Sequence, residues 1–122
     1  MTLQNLLTKV NEEKPSSFTS AKLISFVNEV ELDVAEQLGI KSAPVYGDNA
    51  TDKAKTLLAQ APYDRLYVSY LKAMIDYSNE EYASYQLNQE QHTLDFHDFI
   101  DWIVRTGSTK NNKFPTRFKN TL

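Results

Sequence analysis

Cysteine is absent from all 122 residues, which removes disulfides, thiolate metal sites and cysteine nucleophiles together. Glycine is nearly as scarce. Gly39, Gly47 and Gly107 stand alone, outside any GxGxxG or GxxxxGK[ST] cluster, so the glycine-rich loops that cradle phosphates are excluded. The two histidines, His92 and His97, are five apart, about 140° around a helix, and do not present joint ligands as the i, i+4 pair of HExxH does. A GxSxG nucleophile context is missing too. No apolar run approaches the roughly 20 residues of a membrane span, and the opening MTLQNLLT has neither a basic n-region nor a long apolar h-region. The expectation is a soluble, cytosolic protein with no cofactor, metal or membrane partner, and not an enzyme.

What is present is ordinary globular material. Hydrophobic residues make up 41% and charged residues 24%, enough for one domain with one core. The net charge of −3 is unevenly spread: from Arg105 onward come Arg105, Lys110, Lys113, Arg117 and Lys119 with no acid, which leaves eight basic against sixteen acidic residues, a net −8, in the body. Such a split suits an arm that docks on something acidic, or a tail that merely solubilises.

Four helical stretches and a weak fifth are legible, so the expected fold is all-α: a small bundle of two helical hairpins over residues 1–106, followed by an extended basic tail over 107–122. The first helix carries Leu3, Leu6, Leu7 and Val10 behind Thr2 as N-cap and stops before Lys14-Pro15. The second is capped by Thr19 or Ser20, buries Leu23, Val27, Val30, Val34 and Leu38, and ends at Gly39, where a left-handed C-cap belongs. Residues 40–61 read as a loop with a weak helix, 52–60 being open to either a short helix or a strand-like lead-in.

Beyond Pro62, Tyr63, Tyr67, Tyr70, Met74 and Tyr77 form an apolar stripe opposite Arg65, Ser69, Lys72 and Asp76. A second stripe, Tyr82, Tyr85, Gln89, His92, Phe96, Phe99 and Ile103, faces away from Glu81, Ser84, Asn88, Gln91, Asp95 and Asp98. The step from Tyr77 to Tyr82 throws the two out of phase by roughly 100°. One unbroken helix over 63–105 would also be about 64 Å long, too long for so small a chain to cover. The sequence therefore predicts a turn at Ser78-Asn79, with Asn79 as N-cap of the final helix and Glu80 and Glu81 in its first turn.

Candidate chemistry is sparse. His92 lies in the apolar stripe and reads as a core or interface histidine with a satisfied nitrogen. Asp95, Asp98 and Asp101 fall on the polar side of the last helix and read as a solvated face. Asp48-Asn49-Ala50-Thr51-Asp52 opens like a calcium loop but lacks its sixth-position glycine and closing glutamate. Six of the seven tyrosines lie between 63 and 85, as core residues with hydroxyls at the rim or as a binding surface. Trp102 and Arg105 continue the polar stripe, so the indole meets either the first helical hairpin or a neighbouring subunit. In the tail, Lys113, Phe114, Arg117 and Phe118 interleave charge and aromatics around Pro115, as an extended docking segment does.

The stretch APYDRLYVSYLKAMIDYSNEEY over residues 61–82 resembles the APYDxLYxxYLxAxIDYxNxEY segment of the small head-tail connector proteins of siphophages and prophages of Gram-positive bacteria. FIDWIVRT over 99–106 is similar to their FxxWxxRT close. The resemblance implies a helical bundle that forms a dodecameric ring beneath the portal protein at the virion neck, after passing through the host cytoplasm. Such a ring extends the DNA channel and presents a surface to the next neck or tail-completion protein. It implies no catalytic, cofactor or metal residues. It implies partner-binding residues, for the portal or a neighbouring subunit, among Trp102, Arg105, Lys113, Phe114, Arg117 and Phe118. The alternative left open by a helical bundle with a basic tail is a small DNA-binding regulator, which the −8 body opposes.

Overall fold

The computed structural model of the chain describes residues 1–107. Its elements are α1 (Leu3–Glu13), α2 (Ser20–Leu38), α3 (Ala50–Lys53), α4 (Arg65–Ser78) and α5 (Tyr82–Thr106). Among the described residues there is no strand, only an isolated antiparallel bridge between Thr2 and Thr56, and no helix is long and apolar enough to cross a membrane.

Local capping chemistry sets the first two helices. Thr2 Oγ1 accepts from Asn5 N at 3.1 Å and starts α1, and Thr19 Oγ1 accepts from Lys22 N at 3.2 Å and starts α2. Gly39, at φ 73°, closes α2 as its amide donates to Glu36 O while Ile40 N reaches Ala35 O at 2.9 Å. Leu3, Leu6, Leu7 and Val10 of α1 and Leu23, Val27, Val30 and Val34 of α2 are all buried, with Leu38 packed at the margin.

The second half departs from the periodic reading in three places. Residues 54–64 cross the core as irregular chain with Leu57 and Ala59 buried. The expected helix over 52–60 shrinks to the turn of α3, where Asn49 Oδ1 caps Asp52 N. The reason is competition for backbone groups: Leu3 N donates to Lys55 O and Leu57 N to Met1 O, both at 3.0 Å, bonds that a helix here would consume.

The expected polar stripe of α4 does not face water as a whole. Ser69 and Asp76 are buried along with Leu66, Tyr67, Leu71, Ala73 and Ile75, because α4 is the central helix, flanked by α1, α2 and α5. Tyr77, expected in the apolar stripe, is instead exposed at the end of α4 and packs edge-on to Tyr82.

The break between α4 and α5 lies where the phase slip puts it, but the capping differs from expectation. Asn79 is the C-cap of α4 and Glu81 the N-cap of α5, and Glu81 makes no side-chain cap bond. Glu80 turns the corner at φ 60°, and Glu81 N returns to Asp76 O at 2.9 Å. α5 then runs back along α4 in the most extensive helix contact of the bundle. α1 and α2 share α4 as their common support.

At the centre, Glu31 of α2 is fully buried. Its carboxyl accepts from Tyr67 Oη at 2.5 Å, Tyr46 Oη at 2.7 Å and Leu58 N at 3.1 Å. Tyr67 Oη in turn accepts from Ala59 N at 2.9 Å. One acid thus ties α2, α4 and the irregular segment together. Burial first, and then the neighbouring Glu31, push both phenols well above the usual tyrosine range.

This fixes the sign of an alkaline transition. The unfolded chain releases these protons near the ordinary tyrosine value of about 10, whereas the native chain retains them. Their contribution is complete below about pH 10 and is lost as pH rises above it. Urea midpoints measured from pH 8 to 11.5 are expected to hold steady and then fall, with a shallower fall in Tyr67→Phe. An equal slope in that variant would assign the transition to other groups.

Candidate functional site

The two segments that carry the connector resemblance meet in space. Pro62 and Tyr63 lie in the turn before α4, and Phe99, Trp102 and Arg105 on the last turns of α5. Tyr63 lies against Trp102, with ring centroids 5.4 Å apart and planes 31° apart, and Phe99 stacks on the same indole at 6.1 Å. Trp102 therefore packs on the turn before α4, and part of its surface remains open. Arg105, in the last turn of α5, is exposed and shares a shallow depression with Pro62, Tyr63, Arg65, Asp98 and Asp101. Its charge suits the carbonyl end of the helix. Lys113, Phe114, Arg117 and Phe118 lie outside the described residues.

The acidic face of α5 is divided. Asp98 and Asp101 are exposed, and Asp98 pairs with Arg65 at 2.8 Å. Asp95, expected in solvent, is buried: it accepts from Ser69 Oγ at 3.0 Å and from Gln91 Nε2 at 2.9 Å, with Arg65 Nε at 3.4 Å. Asp95 therefore serves as a polar seam between α4 and α5. A second seam joins Asp76 to Lys14 Nζ at 2.5 Å, Ser84 Oγ at 2.6 Å and Asn88 Nδ2 at 2.7 Å. The acids of the calcium-like stretch are also engaged. Asp48 pairs with Lys53 and Asp52 with Lys55, both at 2.8 Å; Asp52 accepts from Gly47 N as well, and Lys55, Gly47 and Asn49 together hold its pKa down to about 2. Among the described residues no group of three or more histidines and acids is placed to hold a metal ion.

His92 sits as expected, with 9% of its surface exposed. Its Nδ1 is 2.9 Å from Leu66 O; a carbonyl only accepts, so Nδ1 carries the proton and Nε2 keeps its lone pair. Burial pushes this imidazole below the ordinary histidine value, against the opposing pull of Leu66 O and the nearby acids. The ring lines a cleft of about 300 Å³ between the C-terminal half of α2 and the middle of α5.

Two features escaped the periodic reading. Leu87 and Leu94 are 69% and 62% exposed and, seven apart, lie on one face of α5. Seven-residue spacing was the available signal, hidden because both leucines fall outside the stripe chosen for burial. Glu31 was the other. It stands beside Val30 and one turn after Val27, inside the buried arc of α2, a position where an acid requires partners. No family model, curated protein or solved structure matches this chain.

Proposed function

We propose that the chain is a structural virion protein, a head-tail connector subunit that assembles as a ring, dodecameric by resemblance, beneath the portal. There it extends the DNA channel and receives the next neck or tail-completion protein. The observation that carries this reading is the contact of Tyr63 with Trp102 and Phe99, which joins the two connector-like segments in one packing unit. The exposed strip of Leu87 and Leu94 supports it further, because paired apolar side chains on a polar helix favour a neighbour. Ring closure turns a weak contact between subunits into a durable one, so modest affinity between two copies suffices.

The test is direct. Electron microscopy of the chain mixed with its portal is expected to show added density at the portal's narrow end; its absence at every salt concentration rejects the reading. Deleting residues 108–122 is expected to leave helicity and thermal midpoint nearly unchanged while weakening assembly, and a truncated chain that unfolds would make the arm part of the core. The basic arm also keeps a DNA-binding regulator as a second reading. That reading requires duplex affinity that falls steeply with salt, and a flat titration rejects it.

A further inference from the structure

The cleft between α2 and α5 is built to accept hydrogen bonds. Its mouth holds the exposed acids Asp33 and Glu36 of α2. Gln37 lines the same cleft and its Oε1 is buried without a hydrogen-bond partner among the described residues, an unfavourable condition that an incoming donor relieves. His92 adds an Nε2 lone pair, since its proton is committed to Leu66 O. Phe96 and Ile100 complete the wall with apolar surface. Two carboxylates, a buried amide oxygen and an imidazole lone pair beside a phenyl ring match a guanidinium or ammonium at the end of an alkyl stem: five or three donors, a positive charge, and a cation–π partner.

We propose that this cleft receives a basic side chain from residues 113–119 of a second copy of the chain, Arg117 first among them. Charge complementarity selects that occupant. Each body, residues 1–107, carries nine basic against sixteen acidic residues, a net −7, so bodies repel on approach, whereas Lys110, Lys113, Arg117 and Lys119 give residues 108–122 four positive charges and no acid. Bridging by the arm offsets the repulsion at the point of contact. Burial and the adjacent Glu36 raise the pKa of Asp33, the condition of an acid pair awaiting a cation. A head-to-tail contact of this kind, arm on one copy and cleft on the next, generates rings when its rotation closes. The assignment rests on the ring reading above and names its subunit contact.

The experiment uses the full chain as an equal mixture of unlabelled and nitrogen-15-labelled protein, joined by a zero-length carbodiimide and read by mass spectrometry. Asp33 or Glu36 is expected to link to Lys113 or Lys119, with about half of the linked pairs mixed in isotope, the proportion that random pairing of two copies gives. In parallel, Asp33→Asn/Glu36→Gln, whose changes are on the surface and keep the helices, is expected to weaken self-association at least tenfold in sedimentation, as is Arg117→Gln. Links confined to one isotope place the arm on its own body and overturn the assignment. So do arm links spread evenly over surface acids. Undiminished self-association in the Asp33/Glu36 variant overturns it while leaving the ring standing. A wild-type chain that stays monomeric at every concentration, with and without the portal, removes both.

Discussion

Glu31→Leu is expected to lower the thermal midpoint by about 10–20 °C, the largest loss from any single substitution considered. The side chain is wholly buried and accepts three hydrogen bonds, from Tyr67, Tyr46 and Leu58. Leucine leaves the Tyr46 hydroxyl and the Leu58 amide without an acceptor, and each buried orphan costs about 1–3 kcal/mol. Tyr67 fares slightly better, because its oxygen still accepts from Ala59 N. The total is about 3–5 kcal/mol, which converts to that shift at roughly 4 °C per kcal/mol for a domain of this size. Urea unfolding at pH 7 should show a lower midpoint with an unchanged slope. Combining Glu31→Leu with Tyr67→Phe should cost less than the sum of the two singles, since both remove the same bond. Strict additivity, or a loss under 1 kcal/mol, would mean that Glu31 does not organise the centre of the bundle.

The importance of Glu31 also shows what a single sequence conceals. Thr2, Thr19 and Gly39 act on groups within four residues of themselves, so the limits of α1 and α2 follow from local chemistry alone. The phase slip between Tyr77 and Tyr82 is local as well, and it locates the reversal between α4 and α5. Glu31, Ser69 and Asp95 are different. Glu31's partners stand 15 to 36 residues away, and those that join Ser69 and Asp95 across α4 and α5 stand 26 to 30 away, and a polar residue whose partner is unknown looks like one meant for water. The stripe reading of α4 fails for this reason: a helix with neighbours on several sides has no single polar face. Residues 54–64 fail for a related one, since Leu57 and Ala59 are buried with no period to announce them.

The candidate site divides along the same line. Trp102 stands out in the sequence as an indole on a polar stripe, and the structure gives it a real partner. That partner, Tyr63, lies 39 positions earlier, and helical periodicity, which makes it the first residue of the stripe after Pro62, gives no sign that it meets the last turns of α5. Leu87 and Leu94 were available only by asking which apolar residues the burial pattern leaves over. The cleft that holds His92 needs α2 and α5 side by side before its acceptors converge, so no reading of either helix alone contains it.

Lys14→Met is expected to cost more than Asp76→Asn, about 3 kcal/mol against roughly half as much, although both break the same ion pair. The asymmetry follows from exposure: Asp76 has no exposed side-chain surface, whereas Lys14 has 23%. A lysine that loses its partner turns to water, but a buried carboxylate left with only Ser84 and Asn88 keeps an uncompensated charge. Burial alone would raise the pKa of Asp76; in the wild type Lys14, Ser84 and Asn88 together outweigh it and hold the group below the ordinary carboxylate value. The pair therefore contributes stability that is complete above the unfolded value of about 3.9 and is lost as pH falls through the lower native one. Without Lys14, burial is opposed only by Ser84 and Asn88, and the native carboxyl takes up its proton at a higher pH than in the wild type, which relieves the buried charge. The gap in stability between wild type and Lys14→Met should thus be widest near pH 7 and narrow as pH falls toward 4. Urea midpoints of both proteins across that range provide the check, and a gap that stays constant would show that Asp76 carries no stranded charge at the turn joining α4 to α5.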